Sequence, residues 1–583
     1  MYIAVIQNNP KVGALRENAQ KALESIDILA AGPYPPDIVV FPAFALTGSP
    51  VEGLQFYDAF AAETLDVARF FIEHVSLTTL IGTMVPRLLP EEEAFICESE
   101  ALFCKDGSGR ALGFLDIGSA WASETYDASI STRVDGHKIS VLLDDYPDID
   151  DDFSDSELVI LMLAKEYRGT NTMFTASEQL GYLRTFAQKN QVWVIVANLV
   201  GAQDTSVFDG ASVVLRPDGA IVAAADPFEE AVLTCNINLS AKEIPAKPTK
   251  APAPQDTCLV KPLLPYEADW KSLQLFIRDY VLKNGFSDVV LGLSGGIDSA
   301  VCAVLACDAL GAEHVHGILL PGPFSSQGSI DDSLALAANL KMETITLPID
   351  DALAACKAQF LKATGQEASQ LAQQNLQPRI RMIQLMQLSN SFNWLLLNTD
   401  NKSETAIGYS TLYGDTAGAL AVLGNIYKTD VFGLANWRNA QSRVIPEEII
   451  TKPPSAELYE GQRDTDTLPP YEVLDHVLRL HIEEGLGADQ ILAYTSQSPL
   501  GEHLSCELIE SILKAVRLAE FKRRQEPMSP TLGYQDMTLD RGWPITNGFS
   551  DQHHEFLHNA SLADYLEMIT SWNQPGGWDF LAN

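Results

Sequence analysis

Residues 289–299 read Val-Val-Leu-Gly-Leu-Ser-Gly-Gly-Ile-Asp-Ser. A short β-branched apolar run, a pair of glycines and an Asp-Ser ahead of an apolar stretch predict strand, tight turn and helix. At such a junction the helix start offers unpaired N–H groups and the positive end of its dipole, which suits an anion. Gly292, Leu293, Ser294, Gly295, Gly296, Ile297, Asp298 and Ser299 therefore form a candidate phosphate loop. Gly295 and Gly296 allow the backbone to approach phosphate oxygens, and the Ser294 and Ser299 hydroxyls can donate to them. Asp298 would repel a phosphate, so its useful role is to hold a magnesium ion that bridges it to a polyphosphate. The bland alternative is a glycine turn capped by Asp298. No Gly-Lys-Ser/Thr follows, so the loop is not a Walker A motif.

Reading outward, DSAVCAVLACDAL is a helix, HVHGILLP a strand, DDSLALAANL a helix and ETITLPI a strand. This βαβαβ unit predicts a parallel sheet with its ligand site at the strands' carboxyl ends. Upstream, residues 266–284 place Leu273, Phe276, Ile277, Tyr280 and Val281 on one helical face. Before that, the proline-dense segment 241–265 reads as an extended linker. Residues 1–240 alternate apolar runs such as YIAVIQ, DIVVFPAFAL, HKISVLL, ELVILML and VWVIVANLV with amphipathic stretches, which implies a second layered α/β domain. The expected division is 1–240, a linker at 241–265, and 266–583.

With 583 residues the chain is too long for one core, and 46% hydrophobic with 20% charged residues is ordinary globular composition. Thirty-nine basic against 77 acidic residues give a net charge of −38, which argues against a nucleic-acid partner. Any anionic nucleotide must then be held by local cations. The opening MYIAVIQNNP lacks a basic and apolar leader, and no run of about eighteen apolar residues occurs, so a cytoplasmic protein without a membrane span is expected. Eight cysteines without a CxxC pair give no support for a disulfide framework or zinc site, and Cys302 and Cys307 read as core.

The loop resembles that of the N-type ATP pyrophosphatases, which adenylate an oxygen and release pyrophosphate. GMP, asparagine and argininosuccinate synthetases and tRNA thiolases share it, so it does not fix the substrate. Five further segments narrow the choice: PGPFSSQGSIDD (321–332), QNLQPRIR (374–381), NTDNKSETAIGYSTLYGD (398–415), KPPSAEL (452–458) and FKRRQEPMSPT (521–531). In this order they resemble the C-terminal domain of glutamine-dependent NAD synthetases. The resemblance implies a doubly wound, adenine nucleotide α-hydrolase-like domain that amidates deamido-NAD with ATP and Mg2+ through an NAD-adenylate. It also implies ATP contacts from the loop, Thr399, Lys428 and Ser455, and deamido-NAD contacts from Asn375, Arg379, Glu404 and Lys522. Asp298 and Glu404 fall at the metal carboxylates. Arg523 and Arg524 read as surface charges, and Tyr409 and Tyr413, at helical spacing, as core or interface aromatics. Departures from the family pattern include Gln374, Pro378, Asp400 and the pair Asp464-Thr465. A homodimer or larger assembly is also implied. Another adenylating amidotransferase and a non-catalytic nucleotide-binding regulator are the competing readings.

The first half resembles the nitrilase-like glutaminase domain of the same family, an α-β-β-α sandwich that uses a Glu-Lys-Cys triad. Here the glutamate position is Ala43 and the cysteine position is Asp144, followed by Asp145. No lysine stands in GRALGFLDIGSAW, where one is sought, and neither Cys97 nor Cys104 is placed to substitute. An inactive glutaminase is expected, with ammonia, free or from a separate glutaminase, as the nitrogen donor in place of glutamine.

Overall fold

A computed structural model describes residues 1–89, 94–105, 108–114, 130–134, 136–144, 146–169, 177–239, 263–495 and 499–532. The proline-dense linker therefore lies mostly outside the described residues.

The strands of the first half are β1 (Tyr2–Gln7), β2 (Ile38–Val40), β3 (Thr79–Leu89), β4 (Ala94–Lys105), β5 (Ser108–Phe114), β6 (Ile130–Val134), β7 (His137–Leu143), β8 (Leu158–Leu163), β9 (Trp193–Asn198), β10 (Val200–Gln203), β11 (Ser206–Asp209), β12 (Val213–Leu215), β13 (Ile221–Ala224) and β14 (Ala231–Asn236). They form two six-stranded sheets, ordered β14-β1-β2-β3-β4-β5 and β13-β12-β9-β8-β7-β6, and β10 and β11 form a separate hairpin. Ile3, Val39 and Leu80 of one sheet share a buried cluster with Ile139, Ile160 and Ile195 of the other, so the sheets pack face to face. Helices α1 (Leu15–Ala30) and α2 (Asp58–His74) cover the first sheet through Ala19, Leu23 and Phe71. Helix α3 (Ser177–Asn190) covers the second through Leu183 and Phe186. The expected α-β-β-α sandwich is present.

One element is shorter than its sequence suggests. DIVVFPAFAL is apolar throughout, yet the strand is only Ile38–Val40. Pro42 has no N–H for a ladder, and Gly82 packs so closely that a Cβ there would lie 2.5 Å from the Ala43 Cα. Phe41 to Leu46 is a buried loop.

After α4 (Pro265–Lys283), a parallel sheet of β15 (Val289–Gly292), β16 (Val315–Leu319), β17 (Glu343–Thr346), β18 (Leu395–Asn398) and β19 (Leu420–Ala421) runs in the order β17-β16-β15-β18-β19. Its order reverses beside β15, so the crevice for a ligand opens at the end of that strand. Helices α5 (Ile297–Leu310), α6 (Gln327–Leu340), α7 (Asp350–Thr364), α8 (Gln370–Phe392), α9 (Lys402–Ile407), α10 (Lys428–Gln441), α11 (Glu447–Thr451), α12 (Tyr471–Ile482), α13 (Ala488–Thr495) and α14 (Cys506–Arg523) complete this domain. Helix α5 is apolar nearly all round, and its residues 299–306 are buried. Tyr167, Val200, Ala202, Val207 and Phe228 of the first half belong to the same buried cluster as α4 and α5. The two halves thus share a core. Among the described residues no helix is long and apolar enough to cross a membrane.

Candidate active site

The turn after β15 is built for close approach. Gly295 has φ +75, and a Cβ there would lie 2.4 Å from the Ser329 carbonyl of α6, so two requirements select glycine. Ser294 Oγ accepts from the Gly296 amide at 3.1 Å, and Ser299 Oγ accepts from the Ser294 amide at 3.3 Å while donating to the Gly296 carbonyl at 3.1 Å. The two hydroxyls expected to face phosphate therefore also staple the loop, and Ser299 is buried beneath it.

A cavity of about 400 Å3 opens beside this turn, lined by Gly292, Leu293, Ser294, Gly296, Ile297 and Asp298 and also by Thr399, Glu404, Lys428 and Ser455. Gly295 and Ser299 of the expected loop are not among the lining residues. Lys428 Nζ lies 2.6 Å from Asp298 Oδ2 and 3.0 Å from Glu404 Oε1. Asn401 Nδ2 donates to Asp298 Oδ1 at 3.0 Å. Burial pushes the Glu404 carboxyl up to about 7, against the opposing pull of Lys428, while Asp298 adds to the rise. The two carboxylates hold the Lys428 ammonium firmly charged despite its burial.

Asn375, Arg379 and Lys522 meet elsewhere, around the loop that follows α9. Thr411 Oγ1 donates to Asn375 Oδ1 at 3.3 Å, and Arg379 Nε donates to the Leu412 carbonyl at 3.1 Å. Lys522 Nζ donates to the Gly408 and Ser410 carbonyls at 2.7 and 2.6 Å. The three side chains clasp one loop next to the cavity. Asp415, at the end of that loop, does line the cavity, and burial raises its carboxyl to about 6.

Several contributors escaped the sequence reading. Tyr471 OH donates to Asp464 Oδ2 at 2.9 Å and reaches Glu404 Oε1 at 3.4 Å, extending the carboxylate group to a third member. Burial raises the Asp464 carboxyl. Asp464 had shown only as one half of an altered Asp-Thr pair, and Tyr471 carries no motif signal. Lys452, also in the cavity lining, spans Asp332 at 2.8 Å and Ser329 at 3.3 Å. Tyr409 lines the cavity and approaches Asp464 at 3.4 Å, whereas Tyr413 is exposed and donates to Gln525 at 2.8 Å. Both lie past the end of α9, so their helical spacing misled. Arg523 is not a surface charge: it is 2% exposed, paired with Glu520 at 2.8 Å and donating to the Ala406 and Val516 carbonyls. Helical phase turns it inward, while Arg524 stays half-exposed on the same Glu520.

In the first half, Ala43 is fully buried in the loop after β2. Asp144 follows β7 with φ 56, and its Oδ1 accepts from the Ala164 amide at 2.9 Å. Asp145 and the stretch 115–129 lie outside the described residues, as does the side chain of Cys97. Cys104 is buried, and desolvation pushes its thiol up to about 12, so it offers no thiolate.

Fold and family matches define a ligase of the NAD synthase class joined to a carbon-nitrogen hydrolase-like half. The NAD synthase family model matches residues 269–526, and the carbon-nitrogen hydrolase model matches residues 171–243. The glutamine-dependent NAD(+) synthetase of Aquifex aeolicus is 35% identical across 94% of this chain and 100% of its own length. That of Synechocystis is 34% identical across 94% and 99%. Among solved structures, the glutamine-dependent NAD+ synthetase of Acinetobacter baumannii in complex with ADP has a TM-score of 0.67 at 28% identity, covering 95% of this chain and 99% of that one. The chain belongs to the glutamine-dependent NAD(+) synthetase family.

Proposed function

We propose that this NAD synthetase activates deamido-NAD with ATP and then takes ammonia, rather than glutamine, as its nitrogen source. The observation that carries the adenylating site is the meeting of Asp298, Glu404 and Lys428 in one cavity beside the glycine turn. The turn's amides and Lys428 hold the polyphosphate, with Thr399 and Ser455 in the same cavity lining. The nicotinate carboxylate attacks the α-phosphorus, pyrophosphate leaves, and ammonia then displaces AMP from the acyl adenylate. Asn375, Arg379 and Lys522 shape the wall that receives deamido-NAD, because the loop they clasp leads into Asp415 at the cavity. Positioning and electrostatic stabilisation by fixed groups supply most of the rate.

Magnesium fits the donor set. Asp298 and Glu404 aim oxygens at one point, and Mg2+ commonly takes one or two carboxylates and completes its shell with phosphate oxygens and water. Bound there, it would neutralise phosphate charge.

The first half (1–240) is read as a scaffold without glutaminase activity, and 266–583 as the synthetase. Support comes from residue identity: alanine offers no base at 43, and a carboxylate at 144 is a poor amide nucleophile. The relatives carry glutamine-dependent names, so the nitrogen donor is the point to test. AMP and NAD formation from ATP, Mg2+ and deamido-NAD should be measured with glutamine and with ammonium chloride at matched nitrogen. Turnover with ammonium alone is expected. Robust turnover with glutamine refutes the donor assignment, and no deamido-NAD-dependent AMP release refutes the reaction itself.

A further inference from the structure

Asp298 is the second residue of α5, Glu404 the third of α9 and Lys428 the first of α10. Three elements thus bring two carboxylates to one ammonium, and the lysine is 2% exposed. The Lys428 backbone is fixed: its amide donates to Ser403 Oγ at 2.8 Å. Its side chain is four flexible carbons ending in a compact charge. Asn401 holds the other Asp298 oxygen, so that carboxylate keeps its aim without the lysine, and the Tyr471 hydroxyl stands 3.4 Å from Glu404 Oε1.

We infer that Lys428 is the resident counter-ion of this carboxylate pair and yields it to a divalent cation when nucleotide arrives. The inference rests on the reading of Asp298 and Glu404 as metal carboxylates. Mg2+ binds oxygens at about 2.0–2.1 Å, so an ion shared by the two oxygens would take the space the ammonium now fills. Two cations cannot share that point, because they repel at short range in a poorly screened interior. The ammonium must move, and a polyphosphate is the anion that can receive it. Metal and nucleotide binding are then coupled: the lysine opposes metal alone, and the nucleotide relieves that opposition.

Thermal denaturation of the full chain in increasing MgCl2, without nucleotide and with NaCl matching ionic strength, reads this directly. In Lys428→Met the Mg2+-dependent rise in Tm should begin at a concentration about tenfold lower than in the unsubstituted protein. Lys428→Arg, whose guanidinium can pair with both carboxylates, should need at least as much Mg2+ as the unsubstituted protein. Equal Mg2+ response in the unsubstituted protein and Lys428→Met overturns the inference. If Lys428→Met folds only when Mg2+ is present, the exchange is supported. If it folds under neither condition, a Lys428→Arg response at lower Mg2+ than the unsubstituted protein overturns it. Asp298→Asn separates the two levels: a Mg2+ response that survives this change removes the metal reading itself, whereas one that needs Asp298 but ignores Lys428 removes only the exchange.

Discussion

The Tyr167 hydroxyl donates to Asp269 Oδ1 at 2.7 Å, joining the first half of the chain to the first turns of α4. Tyr167 is buried and Asp269 half-buried where the halves share a core. Burial lifts the Asp269 carboxyl to about 6, although the Tyr167 hydrogen bond pulls it down. A carboxyl raised on folding stabilises most when protonated, so its contribution is full below about 3.9 and is lost as pH climbs to about 6. Asp269→Asn cannot ionise. Between pH 4 and 7 the unsubstituted protein should therefore lose about 1–3 kcal/mol relative to Asp269→Asn. Parallel denaturant titrations across that range check it, and a pH-independent difference would refute it.

Gly295→Ala should abolish nucleotide use. Its φ of +75 and a Cβ 2.4 Å from the Ser329 carbonyl leave no room without moving the turn. Left-handed strain costs on the order of 1–3 kcal/mol, so the fold should survive while deamido-NAD-dependent AMP release falls by about 100-fold or more. Circular dichroism and AMP release together separate these effects.

Arg523→Ala removes a cation from a pair that is buried on both sides. Leaving Glu520 buried with Arg524 as its remaining cation among the described residues should cost about 3–5 kcal/mol. Arg524→Ala, at the exposed end of the same group, should cost about 1 kcal/mol or less. Similar losses for the two variants would contradict the inward placement of Arg523.

Asp144→Ala tests the scaffold reading of the first half. Its carboxylate caps the Ala164 amide at 2.9 Å, and its backbone has φ 56. The variant should keep ammonium-driven NAD formation within about twofold, with a stability loss of about 1 kcal/mol from the hydrogen bond. A large fall in rate at unchanged stability would give the residue a chemical role.

The glycine turn was readable because everything it needs is local: a β-branched strand, two glycines and a helix start lie within eleven residues. Segment order made Thr399, Glu404, Lys428 and Ser455 readable by resemblance, and the cavity gathers all four. The strand lengths were less legible. The apolar run at Phe41–Leu46 looks like strand but is buried loop, because burial without pairing leaves the same hydrophobic signature.

By itself the sequence determined two α/β halves, a glycine turn between strand and helix at residues 292–299, and the absence of glutamate at 43 and cysteine at 144. Those follow from periodicity, composition and residue identity, which need no distant partner. Only the tertiary structure decided that the Lys428 ammonium bridges Asp298 and Glu404, that Tyr471 carries Asp464 into the same group, and that Arg523 points inward. Such pairings join residues from different helices, or depend on which face of a helix is buried. A linear pattern does not encode them, because packing sets those distances.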